Sequence, residues 1–253
     1  MRPDPRELPV TLGDRAVSIG LWTAGLGWLV PMMTGMFALS MVVPPRRTDW
    51  LNRVYCLGQM RAVGAQWRAV VDPAVDPSTP YLFAQNHVNL LDHVSLYPAT
   101  PHFKQGLELE SHFKIPVYGW FMKARGTIGV RSGRQGQTPE IMQNMRDEIA
   151  QGNSILAFPE GTRTLDGRVG AFRKGVFFIA RDLGIPIVPV SVTGMYGVLR
   201  KGSALMRPGE VTVYVDAPIE TKGLTDDEIG TLAESVRRVM AARVDTWWDG
   251  EAT

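Results

Sequence analysis

The fold is decided by residues Ser154–Val192, SILAFPEGTRTLDGRVGAFRKGVFFIARDLGIPIVPVSV. Ser154–Phe158 is a compact apolar run, closed by Pro159 and Gly161. A short apolar run bounded by turn residues predicts a buried strand. Val176–Leu183 repeats apolar residues at helical spacing and ends at Gly184, a common helix terminator. Ile187–Val192 is rich in β-branched residues and reads as a second buried strand. Strand, helix and strand in succession predict a parallel pair joined by a helical crossover, the unit of α/β folds.

The flanks repeat the alternation. Tyr81–Gln85 is an apolar strand candidate, preceded by a Pro- and Asp-rich loop at Asp72–Pro80. Phe103–Glu108 and Thr127–Val130 read as strands, and Ile115–Ala124 as a buried turn or helix. Thr138-Pro139-Glu140 makes a helix start, with Pro at the first helical position and an acid in the first turn. Ile141, Met145 and Ile149 give that helix its apolar stripe, and Gly152 stops it. Val211–Val215 predicts another strand, and Thr225 with Glu228 forms a capping-box pattern opening a helix to about Asp245. Thr48–Val71 places Leu51, Val54, Tyr55, Gly58 and Met60–Ala62 at near-helical spacing and predicts one amphipathic helix. No repeat or second domain boundary is visible.

The chain has 253 residues, of which 45% are hydrophobic and 21% charged, so it can bury a sizeable core. Its 27 basic and 25 acidic residues leave a net charge of +2, which argues against nucleic acid as a partner. The single Cys56 excludes an internal disulfide framework and a cysteine zinc cluster. A mean hydropathy of −0.05 hides an uneven distribution. Ala16–Val43 is 28 residues without a charge. As a helix it would reach roughly 42 Å, against about 30 Å of bilayer hydrocarbon. Pro31 splits it into halves too short to cross alone. Three readings follow: a kinked transmembrane helix, a helical hairpin in one leaflet, or a buried core helix. A cleaved signal peptide fits poorly, since Met1–Arg15 is net neutral with three prolines. Arg46, Arg47 and Arg53 follow the run and would place the following bulk on the cytoplasmic side of a plasma (inner) membrane. Trp22, Trp28 and Trp50 are candidates for the membrane interface.

Two segments carry chemistry. In Asn86-His87-Val88-Asn89-Leu90-Leu91-Asp92, a His and an Asp follow a buried strand, where catalytic loops sit. An imidazole can take a proton from an attacking hydroxyl, and a carboxylate on its other nitrogen fixes the tautomer. Taken alone the spacing is loose and equally fits a capping Asp and a surface His. In Phe158-Pro159-Glu160-Gly161-Thr162-Arg163, backbone N–H groups around Gly161 can approach an anion and Arg163 can grip a phosphate. An ordinary turn with a solvated Arg has the same composition. Nucleotide-binding glycine loops, the G-x-S-x-G elbow and the H-E-x-x-H zinc pattern are absent.

Taken in order, Asn86-His87…Asp92, Gly126-Thr127-Ile128, Phe158–Arg163 and Val188-Pro189-Val190 resemble the glycerolipid acyltransferase family, typified by 1-acyl-glycerol-3-phosphate acyltransferases. The resemblance covers roughly residues 81–216, and Phe172–Val176 and Val213–Ile219 share it. It implies a single α/β acyltransferase domain over residues 51–253, with a central mixed β-sheet flanked by helices. A membrane-associated helix or hairpin within residues 1–50 would precede it. It implies transfer of a fatty acyl group from acyl-CoA or acyl-carrier protein to the sn-2 hydroxyl of lysophosphatidic acid, with no cofactor or metal beyond that co-substrate. The expected partners are membrane lipids, the lysophospholipid acceptor and the acyl donor.

Carried over residue by residue, the resemblance makes His87 the general base and Asp92 its orienting carboxylate. Arg163 with the Gly161-Thr162 backbone would hold the acceptor phosphate. Glu160 would hold the loop or the acceptor's polar head, and Arg131 or Arg134 would add positive field. Those two flank Ser132, where the family usually has its Arg. Asn89 stands where the family often has Ser, and Glu108-Leu109-Glu110 where it often has a Lys. His93, His102 and His112 are expected to be surface or structural. The alternatives are the same chemistry on another acceptor (glycerol-3-phosphate, another lysophospholipid or a lyso-aminolipid), a non-catalytic lipid-binding protein, or a metal-dependent hydrolase using His87, Asp92, His93 and Glu160.

Overall fold

The computed structural model describes residues 1–131 and 138–250. The N-terminal half holds helices α1 (Leu12–Ser40), α2 (Asp49–Ala62), α3 (Asp92–Leu96) and α4 (Tyr118–Arg125) and strands β1 (Ala65–Val71), β2 (Leu82–Gln85), β3 (Lys104–Leu109) and β4 (Ile128–Val130). Then come α5 (Thr138–Ala150), β5 (Ser154–Ala157), α6 (Gly175–Leu183), β6 (Ile187–Thr193), α7 (Met195–Val198), β7 (Gly209–Val215) and α8 (Glu228–Asp249). The strands form a seven-stranded sheet in the order β1-β7-β6-β2-β5-β3-β4. β6, β2, β5, β3 and β4 run parallel, while β7 is antiparallel to β6 and carries β1 parallel to itself. The sheet is therefore mixed, with helices on both faces.

Alternation along the strands divides the core in two. Tyr81, Phe83, Leu156, Val188 and Val190 pack into one layer with Met33 and Met36 of α1 and Tyr55 and Met60 of α2. Leu82, Ala84, Ile155, Ala157 and Ile187 face the other way, beneath Met145 of α5, Phe177 of α6 and Val236 of α8. Burial on both faces explains why the central strands read as unbroken apolar runs rather than alternating ones.

The sequence reading of Thr48–Val71 as one helix is corrected. Helix α2 stops at Ala62, and Gly64 takes a positive φ of 75°, which reverses the chain at low steric cost. Residues 65–71 then pair with β7 as an edge strand, with Ala65, Trp67 and Ala69 turned inward. The Thr225 pattern is also only partly realised. Its N–H and hydroxyl both donate to Glu228 at 2.8 Å, but α8 begins at Glu228 and runs on to Asp249. The reciprocal capping box is at α1: Thr11 Oγ1 accepts the Asp14 N–H at 3.1 Å and the Asp14 carboxylate accepts the Thr11 N–H at 2.8 Å.

Helix α1 runs unbroken through Pro31, so the charge-free run is one helix and not a hairpin. It is tied to the domain along its length. Ser18 Oγ accepts the Met206 N–H at 2.9 Å, Trp22 Nε1 donates to the Ala204 carbonyl at 2.8 Å, and Trp28 Nε1 donates to the Tyr55 carbonyl at 2.9 Å. Phe37 stacks near Trp120, with ring centroids 6.2 Å apart. Trp22 and Trp28 thus point inward, whereas Trp50 is exposed. Arg53 also turns inward, to Asp49 and the carbonyls of Thr100 and His102. The opposite face of α1 exposes Val17, Ile19, Leu26 and Val30 and has no charge from Ala16 onward. A buried core helix would cover that face, so this reading falls as well.

Candidate active site

The parallel strands converge their carboxyl ends on one edge of the sheet, where α/β folds place their ligands. Residues after β2, β5 and β6 meet there. Asn86 extends the β2–β6 pairing with its side chain: Nδ2 donates to the Val192 carbonyl at 3.1 Å and Oδ1 accepts the Val192 N–H at 2.7 Å. The chain then turns through His87–Leu91 into α3.

Asp92 is fully buried and organises that turn. Its Oδ2 accepts the N–H groups of Val88 and Asn89, both at 2.7 Å, and lies 2.8 Å from His87 Nδ1. The Asp92 backbone carbonyl accepts from Gln85 Nε2 at 2.8 Å and Ser95 Oγ at 2.7 Å. With Nδ1–H committed to the carboxylate, Nε2 becomes the nitrogen able to take a proton. The imidazole stacks on Phe158 at 4.0 Å between centroids and keeps 22% of its side chain exposed.

Phe158–Arg163 leaves β5 beside the imidazole. The Glu160 carboxylate accepts the His87 N–H at 2.9 Å through Oε1 and the Gly170 N–H at 3.2 Å through Oε2. It is a tie between three loops. Burial pushes its pKa up to about 7, against the pull of those two N–H donors. The Thr164 N–H donates to the His87 carbonyl at 2.8 Å, a second tie between the same segments. Gly161 has a φ of 69°, and a Cβ there would lie 2.7 Å from Arg173 Nε. The positive φ favours glycine there, and a Cβ would also push the Arg173 side chain aside. Thr162 is exposed and Arg163 half-buried.

Arg131 sits at the end of β4, where Nε donates to Glu110 Oε1 at 2.7 Å. Its charge is met by the acid that stands in the region where the family often has a Lys. Arg134 lies outside the described residues. His102 is buried against Tyr81 and Phe83, and His112 pairs with Glu108 at 2.6 Å. His93 lines a cavity instead of the surface. Among the described residues, no three His, Cys, Asp or Glu side chains are grouped as a metal site needs.

That cavity, about 70 Å³, runs between α1, α2, α4 and β3 and reaches Phe158, the partner of the His87 ring. Its lining is mostly apolar, with Met33, Tyr55, Cys56, Phe121 and Leu156 prominent. Buried Lys104 and Arg125 also border it. Lys104 Nζ donates to the carbonyls of Tyr97, Thr100 and His102 at 3.3, 3.2 and 3.1 Å, and burial pulls its pKa well below the ordinary lysine value.

Asn89 and Lys201 were not singled out as site residues from sequence. Asn89 is fully buried; its Nδ2 donates to the carbonyls of Met195 and Leu199, both at 2.7 Å, fastening the segment after β6 to the His87 turn. A polar residue inside the His–Asp interval was the available signal. Lys201 lies 38 residues from Arg163, and only folding brings them together.

The carboxyl edge of the α/β sheet thus carries a His–Asp pair, flanked by an arginine-bearing glycine turn and an apolar cavity. The chain belongs to the acyltransferase family, whose model matches residues 68–193. Among curated relatives, it is 31% identical over 178 residues to a 1-acyl-sn-glycerol-3-phosphate acyltransferase of Chlamydomonas reinhardtii, covering 70% of this chain and 52% of that one. It is 33% identical over 170 residues to the 1-acyl-sn-glycerol-3-phosphate acyltransferase of Saccharomyces cerevisiae, covering 66% and 55%. The chain thus matches about half the length of these relatives. In fold it is similar to the crystal structure of the 1-acyl-sn-glycerophosphate (LPA) acyltransferase PlsC from Thermotoga maritima, with a TM-score of 0.77, 20% identity, and coverage of 93% of this chain and 96% of that one.

Proposed function

We propose that this protein transfers a fatty acyl group from an acyl thioester, acyl-CoA or acyl-carrier protein, to the sn-2 hydroxyl of 1-acyl-glycerol-3-phosphate, giving phosphatidic acid. The observation that carries the reading is the His87–Asp92 pair at 2.8 Å, with Nε2 left for the substrate, beside the Gly161–Arg163 turn. His87 Nε2 takes the proton of the acceptor hydroxyl as its oxygen attacks the thioester carbonyl. Asp92 stabilises the imidazolium that forms. The leaving thiolate receives the proton back. Arg163 and the turn hold the acceptor phosphate, which sets the hydroxyl in range. No metal or resident cofactor enters the reaction as written. The test is turnover: purified protein with oleoyl-CoA and lysophosphatidic acid should release thiol and phosphatidic acid in equal amounts. Absence of turnover with every acceptor in a lysolipid panel would overturn the enzyme reading.

The apolar cavity next to Phe158, about 70 Å³, has room for a few methylenes at the end of a long acyl chain. Gly106 lines it, and a Cβ at Gly106 meets nothing within 4 Å. Gly106→Leu is therefore expected to fill the cavity without displacing its walls. Long-chain donors should lose about 10-fold or more in kcat/KM relative to eight- or ten-carbon donors, with Tm nearly constant. An unchanged chain-length profile would remove the cavity from the reading.

Helix α1 supplies the membrane attachment. Its contacts with the domain from Ser18 to Phe37 favour a helix that stays on the domain over one that crosses a bilayer. Its bare face instead lies in one leaflet. Arg46 and Arg47, both exposed in the turn between α1 and α2, suit the anionic headgroups of the cytoplasmic face of the plasma (inner) membrane. Ile19→Glu with Leu26→Glu should release the protein from anionic vesicles in flotation, while leaving activity on short-chain, soluble acceptors. Vesicle binding unaffected by both charges would refute this attachment.

A further inference from the structure

The positive charge at the glycine turn does not end with Arg163. Lys201 comes from the segment after α7 and places Nζ 2.9 Å from Thr162 Oγ1 and 3.0 Å from the Arg163 carbonyl oxygen. Both acceptors are neutral. Other cations of this fold meet an acid: Arg125 meets Asp49, Arg131 meets Glu110 and Arg243 meets Asp216. Among the described residues, no carboxylate lies within ion-pair distance of Lys201, Arg163 or Arg173, and all three converge on Gly161–Arg163. The nearest acid of the turn, Glu160, spends both oxygens on backbone N–H groups. The result is a cationic cluster without a carboxylate partner at the site where the proposed acceptor carries its charge.

The segment that delivers Lys201 is also fixed to the catalytic turn. Asn89 Nδ2 holds the carbonyls of Met195 and Leu199, and Asn89 N–H is itself held by Asp92. Lys201 therefore stands two residues beyond a carbonyl anchored inside the His87–Asp92 interval. A group bound between Lys201 and Arg163 is referenced to His87 by two hydrogen-bonded routes, one through Asn89 and one through Thr164. This is the arrangement that positioning of a phosphate-bearing acceptor needs.

We propose that Lys201 binds the phosphate monoester of the acceptor together with Arg163, exchanging its bond to Thr162 Oγ1 for a phosphate oxygen. This rests on the acyltransferase reading given above. A phosphate monoester carries close to two negative charges near pH 7, and two cations match it. A phosphodiester headgroup carries one charge and a neutral monoacylglycerol none, so the pair selects for the monoester. Lys201 does not touch the reacting atoms; it sets where the hydroxyl lies relative to His87.

The test compares wild type, Lys201→Met and Lys201→Arg as full-length protein, with oleoyl-CoA as donor and lysophosphatidic acid, lysophosphatidylcholine or monoacylglycerol as acceptor. Lys201→Met should raise the KM for lysophosphatidic acid by about 10- to 100-fold, with kcat changed much less. Its KM for oleoyl-CoA should not move, which separates the acceptor's phosphate from the phosphates of the donor. Lys201→Arg should recover most of the loss. The rates on lysophosphatidylcholine and monoacylglycerol should be little affected. An unchanged KM for lysophosphatidic acid, a rise confined to the donor, or an equal loss on all three acceptors would overturn the proposal. A second readout is independent of turnover. Glycerol 3-phosphate should raise the Tm of wild type and not of Lys201→Met. If wild type shows that shift but transfers no acyl group, the enzyme reading fails while the phosphate site stands. Equal stabilisation of both proteins would remove Lys201 from the site.

Discussion

His87→Ala is expected to lower kcat/KM for acyl transfer to lysophosphatidic acid by about 10²- to 10⁴-fold, the usual contribution of a positioned general base. The substitution removes the proton acceptor and one of the three donors to Asp92 Oδ2, which keeps the N–H groups of Val88 and Asn89. The ring keeps 22% of its side chain exposed, and its main structural contact is the stack on Phe158. The turn survives on its backbone: Val88 and Asn89 still donate to Asp92, His87 N–H still donates to Glu160, and its carbonyl still accepts Thr164 N–H. Tm should therefore shift by a few degrees at most, since a surface-side truncation costs on the order of 1 kcal/mol. The KM for the acceptor should hold, because the phosphate contacts lie on another loop. Activity retained in His87→Ala would shift the proton-transfer role to another group. A large fall in Tm would show that the loss of activity comes from an altered fold.

What the sequence revealed of this molecule follows the range of the interactions. Ser154–Val192 was legible because strand, crossover helix and strand are local patterns, and burial on both sheet faces makes each strand an apolar run. The edge strand β1 was not legible. Its neighbours Leu51–Ala62 set a helical period, and only pairing with β7, about 140 residues away in the chain, makes residues 65–71 extended. The charge-free run was visible, but not how it lies, because Pro31 predicts a break in an isolated helix and the packing of Ser18, Trp22, Trp28 and Phe37 holds it together.

The site divides in the same way. His87 and Asp92 are five residues apart, so a sequence pattern can place them on one turn. Glu160 was visible as a residue but not as a knot. Its two N–H partners, His87 and Gly170, come from different loops, and its raised pKa comes from the burial that the knot creates. Arg131 illustrates the converse. The family resemblance made it a candidate for positive field, whereas the fold gives its guanidinium to Glu110. Charge in a sequence becomes field at a site only when nothing nearer neutralises it. Lys201, unmarked by any pattern, meets that condition.

Asp92→Asn distinguishes two things the carboxylate does. The single oxygen Oδ2 accepts three donors, from His87 Nδ1, Val88 N and Asn89 N, while Oδ1 is buried without a hydrogen-bond partner among the described residues. An asparagine must put its carbonyl oxygen where Oδ2 was, since its NH₂ there would face three donors. The imidazole then still donates Nδ1–H to an acceptor, and its tautomer is unchanged. What is lost is the negative charge that stabilises the imidazolium in the transition state. What is added is an amide NH₂ buried at the Oδ1 position, at a cost of about 1–3 kcal/mol. The expected result is a fall in kcat/KM of about 10²- to 10³-fold with the acceptor KM little changed, together with a Tm lower by several degrees. Asp92→Ala removes the acceptor for all three donors and should destabilise more, leaving two backbone N–H groups unpaired in the interior. If Asp92→Asn instead kept near-wild-type kcat with the same loss of Tm, the carboxylate would be a structural tether of the turn and its charge would play no part in the chemistry. A loss of rate with unchanged stability would place the Oδ1 side in contact with a group able to accept the new N–H. Either measurement, a rate profile or a melting curve, is decisive only beside the other, because the same atom holds the loop and the proton.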